Sequence, residues 1–289
     1  MRDSPNRDLC RALIDCSQSG DLAGVISLLG QGADPSYKAS NALRVAAEAG
    51  HAECVKVLLP FSAPKDNNSA LGLAAGNGHA ECVRLLIPVS DPKAYGSHPL
   101  HAAAFDGHAE CVKLLIPVSE PKARDSEALV SAARNNRAEC IKLLIPVSDP
   151  KSDNSRALAA AAMFGSAECV KLLLPVSDPK HNSRALQGAI DHTNTECVKL
   201  LIPVSGPLLK RKKIRTLTLS LGHADILSLL LAFEPLLLTG LDLPRCRDAS
   251  TAKGHVEMAA LLSSIIEQQD LVGTLPQPTP GGGPTTRRL

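Results

Sequence analysis

The sequence repeats one ten-residue stretch, HAECVKLLIP at residues 108–117, at a nearly constant spacing. Close copies begin at five further residues, which are His51, His79, Arg137, Ser166 and Asn194. The cysteines of the six copies stand at positions 54, 82, 111, 140, 169 and 197, so the period is 28 or 29 residues. A fixed period in this range indicates a solenoid, in which each unit buries its apolar face against its neighbours.

Each unit is built from two short amphipathic segments. In residues 99–105 the apolar positions are Leu100, Ala103 and Ala104, which fall on one stripe of a helix. Alanines at these positions let neighbouring helices pack closely. Gly107 then supplies a turn into the second helix, and Pro117 ends that helix because proline cannot continue it. The pattern predicts two helices joined by a tight turn in each unit.

The composition suits stacked short helices better than the core of a globular enzyme. Aromatic residues make up 2% of the 289 residues and tryptophan is absent, so the core has to be built from Ala, Leu, Val, Ile and Cys. The 31 Lys and Arg residues nearly balance the 29 Asp and Glu residues, which leaves a net charge of +2. This balance gives no general electrostatic reason to bind nucleic acid or an anionic membrane.

One unit carries a specific resemblance to a known family. Residues 96–108 read GSHPLHAAAFDGH, which resembles the ankyrin run G-x-T-P-L-H-x-A-A-x-x-G-H with His98 in place of threonine. Residues 111–116 read CVKLLI, which is similar to the family's I-V-x-L-L-L, and GAD at residues 32–34 resembles the close of an ankyrin repeat. The chain is therefore identified as a member of the ankyrin repeat family.

The resemblance implies an all-α, ankyrin-like helical solenoid of about nine helix-turn-helix repeats. An ordinary ankyrin repeat has a period of about 33 residues and carries a β-hairpin finger between units. The units of this chain are shorter, and their connections read PVSDPK, for example at residues 146–151. We therefore expect shortened loops in place of β-hairpin fingers, with little or no regular sheet.

The repeats divide the chain into three parts. Residues 1–8 form a polar N-terminal segment, and residues 9–269 form the ankyrin repeat domain. Within the domain, regular repeats occupy residues 41–203 and degenerate repeats occupy residues 213–269, whose polar end suits a cap that faces water. Residues 270–289 are rich in proline and glycine and predict a disordered tail.

No pattern of catalytic, cofactor-binding or metal-binding residues is found in the sequence. A nucleophile and its base must converge, whereas the polar residues of this chain recur in rows one repeat apart. Equivalent residues of stacked helices lie about 8–10 Å apart, which is too far for the repeated cysteines to pair or for His51, His79 and His108 to share a metal. We expect a non-enzymatic protein whose cysteines are small buried hydrophobes in a reducing cytosol.

The informative residues are those that vary on the first helix of each unit and in its loop. The resemblance implies that this face is concave and that the family binds other proteins through it. Variation on one face of a uniform scaffold is typical of a binding surface, although drift at tolerant positions is the alternative. The candidate partner-binding residues are Glu48, Asn77, Tyr95, Phe105, Asp106, Arg134, Asn135, Met163, Phe164, Asp191 and His192.

A second candidate site is the basic cluster of Lys210, Arg211, Lys212 and Lys213. Such a cluster can act as a nuclear import signal or contact an anionic partner. Short basic runs are common by chance, and a solvated loop beside a decaying repeat is the favoured explanation. The alternatives to a protein-binding scaffold are a nuclear or nucleic-acid-associated regulatory factor and a host-directed bacterial effector. The alternative of a bacterial effector arises because the repeats also resemble those of bacterial ankyrin proteins.

The N-terminal residues lack the apolar run of a signal peptide, and no segment has the uninterrupted apolar length of a membrane helix. We therefore expect a cytoplasmic monomer that needs no cofactor. We expect its partner to be another protein and neither a membrane nor a nucleic acid. A nuclear location is the alternative if the chain is made in, or delivered to, a eukaryotic cell.

Overall fold

The computed structural model describes residues 4–205, 222–233, 238 and 241–273. These residues contain 17 α-helices and no β-strand, so the predicted all-α solenoid with shortened loops is confirmed. The chain falls into two compact units, one up to Leu208 and one from Leu209 onwards. The division lies between the regular repeats and the degenerate ones.

The first compact unit holds seven helix pairs. Their first helices are α1 (Ser4–Ser19), α3 (Tyr37–Ala49), α5 (Pro64–Gly76), α7 (Ala94–Asp106), α9 (Ala123–Arg134), α11 (Ser152–Met163) and α13 (Asn182–Asp191). Their second helices are α2 (Leu22–Gly30), α4 (Ala52–Leu58), α6 (Ala80–Leu86), α8 (Ala109–Leu115), α10 (Ala138–Leu144), α12 (Ala167–Leu173) and α14 (Thr195–Leu201). The second compact unit holds α15 (Ala224–Phe233), α16 (Leu243–Ala252) and α17 (Val256–Gly273), and α16 packs against α17.

The helices of the first compact unit form two layers with the core between them. Successive first helices pack against one another, and successive second helices do the same. On α5 the positions equivalent to Leu100, Ala103 and Ala104 are Leu71, Ala74 and Ala75, and all three are fully buried. Helix α6 packs against α5, and its Cys82 and Leu86 are also fully buried. Burying each leucine contributes about 1.5–3 kcal/mol. Because the small alanines bring the helices close, the first helices form a tightly packed layer.

The turn between the two helices of a pair requires a left-handed residue. Gly50, which follows α3, has a φ of 82°, and the N–H of His51 then donates to the carbonyl of Ala46 at 2.9 Å. Asn136 and Thr193 adopt the same conformation, with φ of 57° and 58°, in the two regular units whose turn lacks glycine. The predicted tight turn is therefore kept with or without glycine.

A short 3₁₀ turn that contains the repeated proline follows most of the second helices. These turns are Leu59–Phe61, Ile87–Val89, Ile116–Val118, Leu174–Val176 and Ile202–Val204. Proline is the second residue of each turn, where its missing N–H prevents the α-helix from continuing, as predicted.

Buried serines join the start of a first helix to the connection that follows its paired second helix. The Oγ of Ser126 on α9 accepts a hydrogen bond of 2.9 Å from the N–H of Asp149, which follows α10. Ser126 ends a left-handed turn that it forms with Arg124 and Asp125, whose φ values are 49° and 56°. Equivalent bonds join Ser97 to Glu120 and Ser155 to Asp178. The serine bonds therefore fix a backbone conformation that non-glycine residues rarely adopt.

The histidines at the turns join neighbouring repeats. The Nε2 of His51 lies 3.0 Å from the carbonyl oxygen of Gln18, and the Nε2 of His79 lies 2.9 Å from that of Glu48. Each ring thus bonds to the end of the preceding first helix, where carbonyl groups lack an intrahelical donor. This bonding explains the histidine row without a shared ligand.

The repeated cysteines lie in the core. Cys54, Cys82, Cys111, Cys140, Cys169 and Cys197 are buried free thiols. Burial raises the pKa of the last five thiols to about 11, which keeps them protonated. They therefore act as small hydrophobic side chains, as the sequence predicts.

Two predicted boundaries differ from the structure. Helix α1 begins at Ser4, so residues 4–8 belong to the first helix and not to a segment before the repeats. Pro5 suits this first turn, because the N–H that it lacks would have no helical partner there. Helix α17 continues to Gly273, so residues 270–273 belong to the last helix and not to the tail. The remaining tail, residues 274–289, lies outside the described residues.

Candidate functional site

The first helices of the regular repeats present a varied exposed surface. Ten of the eleven predicted partner-binding residues are exposed, and Asn135 is half-buried. Two groups of these residues come together in space. One forms an aromatic patch on α7, α9 and α11, and the other lines a groove over α5.

The aromatic patch consists of Phe105, Arg134, Met163 and Phe164. The guanidinium carbon of Arg134 lies 5.6 Å from the centroid of the Phe164 ring, which is a cation–π distance. Phe164 is 56% exposed, and Phe105 and Met163 are each 41% exposed. Three large apolar side chains of the patch are therefore exposed to solvent.

His101 supports one side of the aromatic patch. Its ring lies 6.3 Å from the Phe105 ring, and its Nε2 lies 2.9 Å from the Oγ of Ser131 on α9. Burial lowers the pKa of His101 and outweighs the opposing effect of the Glu127 carboxylate. A neutral imidazole therefore joins α7 to α9 beneath Phe105.

The second group lines a groove of about 530 Å³ that we call the glycine groove. Gly72 and Gly76 of α5 lie along its floor together with Leu73 and Ala102. Its remaining lining residues are Arg44, Asn68, Ser69, Asn77, Tyr95, His98 and Asp106. The groove thus brings together three predicted residues, Asn77, Tyr95 and Asp106.

The other predicted residues have different surroundings. The amide of Asn135 donates to the carbonyl of Ser131 at 2.9 Å, so this side chain caps its own helix. Asp191 accepts a hydrogen bond of 2.7 Å from Gln187 on the same helix. Glu48 and His192 are exposed and belong to neither the aromatic patch nor the glycine groove.

Sequence reasoning missed Arg44, Gly72, Gly76 and His98 of the glycine groove. The predicted site consists of large or polar side chains that break the repeat, whereas this groove lies where Gly76 has no side chain. The signal was present in the pair of glycines spaced four residues apart, which face the same side of a helix. The replacement of the family's threonine by His98 was a second signal.

The second helices present a different surface, which carries the same ion pairs in most repeats. Glu110 and Lys113 lie 2.6 Å apart on α8, and Glu139 and Lys142 lie 2.7 Å apart on α10. All four side chains are about half exposed or more. Such pairs contribute about 0–1 kcal/mol to stability and leave a hydrated surface.

Two other classes of feature are absent from the described residues. In this part of the chain, no group of three or more His, Cys, Asp or Glu side chains could hold a metal ion. No described helix is long and apolar enough to span a membrane. The predicted basic cluster, residues 210–213, lies outside the described residues and stays a prediction.

Comparison with protein families identifies the fold. The family model described as ankyrin repeats in three copies matches residues 13–95, 61–126, 89–154 and 129–212. These overlapping matches extend from residue 13 to residue 212, which is more than half of the 289 residues. The chain is an ankyrin repeat protein.

Among solved structures, this ankyrin repeat protein is similar to the human ASB11 ankyrin repeat domain. The match has a TM-score of 0.49 and 24% sequence identity, and it covers 57% of this chain and 82% of that chain. No curated protein matches the sequence. Ankyrin repeats are generally protein–protein interaction modules and are typically not enzymes.

Proposed function

We propose that this ankyrin repeat protein is a non-enzymatic scaffold that binds a partner protein through the exposed face of its first helices, the concave face of the solenoid. The observation that carries the proposal is the aromatic patch, where Arg134 lies over the ring of an exposed Phe164 and the exposed Phe105 and Met163 occupy the equivalent position on the two neighbouring first helices. Aromatic residues, methionine and arginine are enriched in protein interfaces.

The surface of the second helices supports the same choice of face. It displays lysine and glutamate, which are depleted in protein interfaces. A partner that contacts such an ion pair gains little binding energy, because the two long side chains must be ordered and lose hydrating water. The two faces of the first compact unit therefore differ in the residue types that interfaces favour.

An affinity capture with matched variants tests the proposal. The intact chain, a patch variant with Phe105→Ala, Arg134→Ala and Phe164→Ala, and a control variant with Lys113→Ala, Lys142→Ala and Lys171→Ala are used as baits. Circular dichroism first establishes that all three are equally helical. A captured partner is then titrated against each bait to obtain its Kd.

We expect the patch variant to bind at least about thirtyfold more weakly, because one lost hot spot costs about 2 kcal/mol. We expect the control variant to bind like the intact chain. A partner that tolerates the patch variant and is lost with the control variant would place binding on the second helices and contradict the proposal.

A further inference from the structure

The glycine groove is confined to one repeat by its sequence. Gly72 and Gly76 lie one helical turn apart on α5 and both line the groove. Gly72 is buried, and a Cβ there would lie 3.0 Å from the Nδ1 of His98, whereas the half-buried Gly76 leaves the helix surface without a side chain. The equivalent pairs in the other regular repeats are Arg44 and Glu48, His101 and Phe105, Val130 and Arg134, Ala159 and Met163, and Gln187 and Asp191. Every other regular repeat therefore fills at least one of these positions with a large side chain.

Packing within the fold does not require Gly76. A Cβ at this position would lie 3.5 Å from the Cβ of Ala102 and 3.6 Å from the Oδ2 of Asp106, which are ordinary contact distances. Glycine inside a helix costs about 0.5–1 kcal/mol relative to alanine. The sequence thus keeps an open surface over α5 at some cost in helix stability.

The walls of the glycine groove carry opposite charges. Arg44 stands on α3, on one side of α5, and its Nη1 donates a hydrogen bond of 3.3 Å to the Oδ1 of Asn41. Asp106 stands on α7, on the other side, and no hydrogen bond or ion pair engages its carboxylate within the described residues. Leu73 and Ala102 provide apolar surface between the two charges.

The distance between the walls limits the shape of a ligand. Helices α3 and α7 flank α5, so their axes lie about 16–20 Å apart when each neighbouring pair is separated by about 8–10 Å. An extended peptide advances about 3.3 Å per residue and directs residues i, i+2 and i+4 to one side. Three such side chains span about 13 Å and reach both walls and the floor.

We propose that the glycine groove binds an extended segment of the partner protein in which an acidic, an apolar and a basic residue alternate with spacers. The acidic residue pairs with Arg44, the apolar side chain occupies the space over Gly76, and the basic residue pairs with Asp106. This inference rests on the proposed function and adds the chemistry of the bound segment. The order of the two charged residues along the segment is free, because either chain direction satisfies both walls.

A phage-displayed library of random 12-residue peptides, selected against the full chain, tests the groove. We expect enriched peptides to carry an acidic and a basic residue four positions apart with an apolar residue midway. Selection against a Gly76→Leu variant should lose this pattern, because leucine fills the groove. A Gly30→Leu variant, altered at an open position on α2 where a Cβ meets no neighbour, should keep it.

Charge reversal gives the sharper result. Against an Asp106→Lys variant we expect peptides whose basic residue is replaced by an acidic one, and we expect a synthetic copy of the original peptide to bind at least about tenfold more weakly. Circular dichroism establishes that each variant is folded, which leucine in place of a helical glycine should favour.

The inference is overturned if no peptide is enriched, if the enriched peptides lack the pattern, or if Asp106→Lys leaves the selected sequences unchanged. Peptides that still bind the Gly76→Leu variant but do not bind the patch variant would refute the proposed groove site and leave the proposed function standing. The two proposals are therefore tested separately.

Discussion

At Gly50 the missing side chain makes room for a histidine of the next repeat. A Cβ at this glycine would lie 2.4 Å from the Nδ1 of His79, which no real Cβ contact permits. The Nε2 of the same ring lies 2.9 Å from the carbonyl oxygen of Glu48. Gly50 also has a φ of 82°, and a residue with a Cβ adopts this left-handed conformation at a cost of about 1–2 kcal/mol.

We predict that Gly50→Ala lowers the free energy of unfolding by about 2–3 kcal/mol, from backbone strain together with a weakened His79 bond. Urea unfolding followed by circular dichroism measures the change. The matched control is Gly76→Ala, which lies in a helix with room for a Cβ and should raise the free energy of unfolding by up to about 1 kcal/mol. Equal effects of the two substitutions would refute this account of the turn.

Single residues also show the limits of the sequence reading. The roles of Leu100, Ala103 and Ala104 follow from helical spacing alone, because burial on one stripe is a local property. The contact between Arg134 and Phe164 depends on how two helices stack, which no spacing within one helix determines. Exposure could thus be predicted for the candidate residues, while the division into an aromatic patch and a glycine groove could not.

Three of the first helices, α7, α9 and α11, are each held to their repeat by a serine hydrogen bond across 23 residues. The buried Oγ of Ser126 accepts from the N–H of Asp149, and the pairs Ser97 with Glu120 and Ser155 with Asp178 repeat it. The sequence predicts the helix but not the left-handed turn at its start, because the hydrogen-bond donor lies in a distant connection. The paired helices, their turn and their proline ends depend on neighbouring residues and were predicted correctly.

We predict that Ser126→Ala lowers the free energy of unfolding by about 1–3 kcal/mol, because the amide of Asp149 loses its acceptor. Chemical denaturation of the full chain measures the loss. Ser152→Ala is the matched control, since the Oγ of Ser152 makes a 3.3 Å bond at an exposed site and should contribute less than about 0.5 kcal/mol. Equal losses of stability in the two variants would show that the hydrogen bond between Ser126 and Asp149 does not stabilise the fold.

The cysteine row gives the whole molecule a dependence on alkaline pH. Five buried thiols have a pKa near 11, above the ordinary value of 9.0, because burial disfavours the thiolate. At a pH between these two values, the five thiols are largely deprotonated in the unfolded chain and largely protonated in the folded chain. The stabilisation is therefore fully present below pH 9 and is lost as the pH rises towards 11.

We predict a steep fall in the free energy of unfolding around pH 10, with a contribution from the five thiols of up to about 7 kcal/mol per pH unit. Denaturant unfolding between pH 8 and pH 10.5 measures the slope. A Cys111→Ala variant should reduce this contribution by about one fifth, because one of the five thiols has been removed. An unchanged slope in that variant would show that its thiol does not titrate with unfolding.

At the scale of the whole protein, the central claim is that partners contact the first helices. Site-specific photo-cross-linking tests it most directly, with p-benzoylphenylalanine placed at position 164 on the aromatic patch or at position 142 on the second-helix face. After irradiation with a captured partner, we predict a covalent adduct from position 164 and none from position 142. An adduct from position 142 alone would contradict the account and place the binding surface on the second helices.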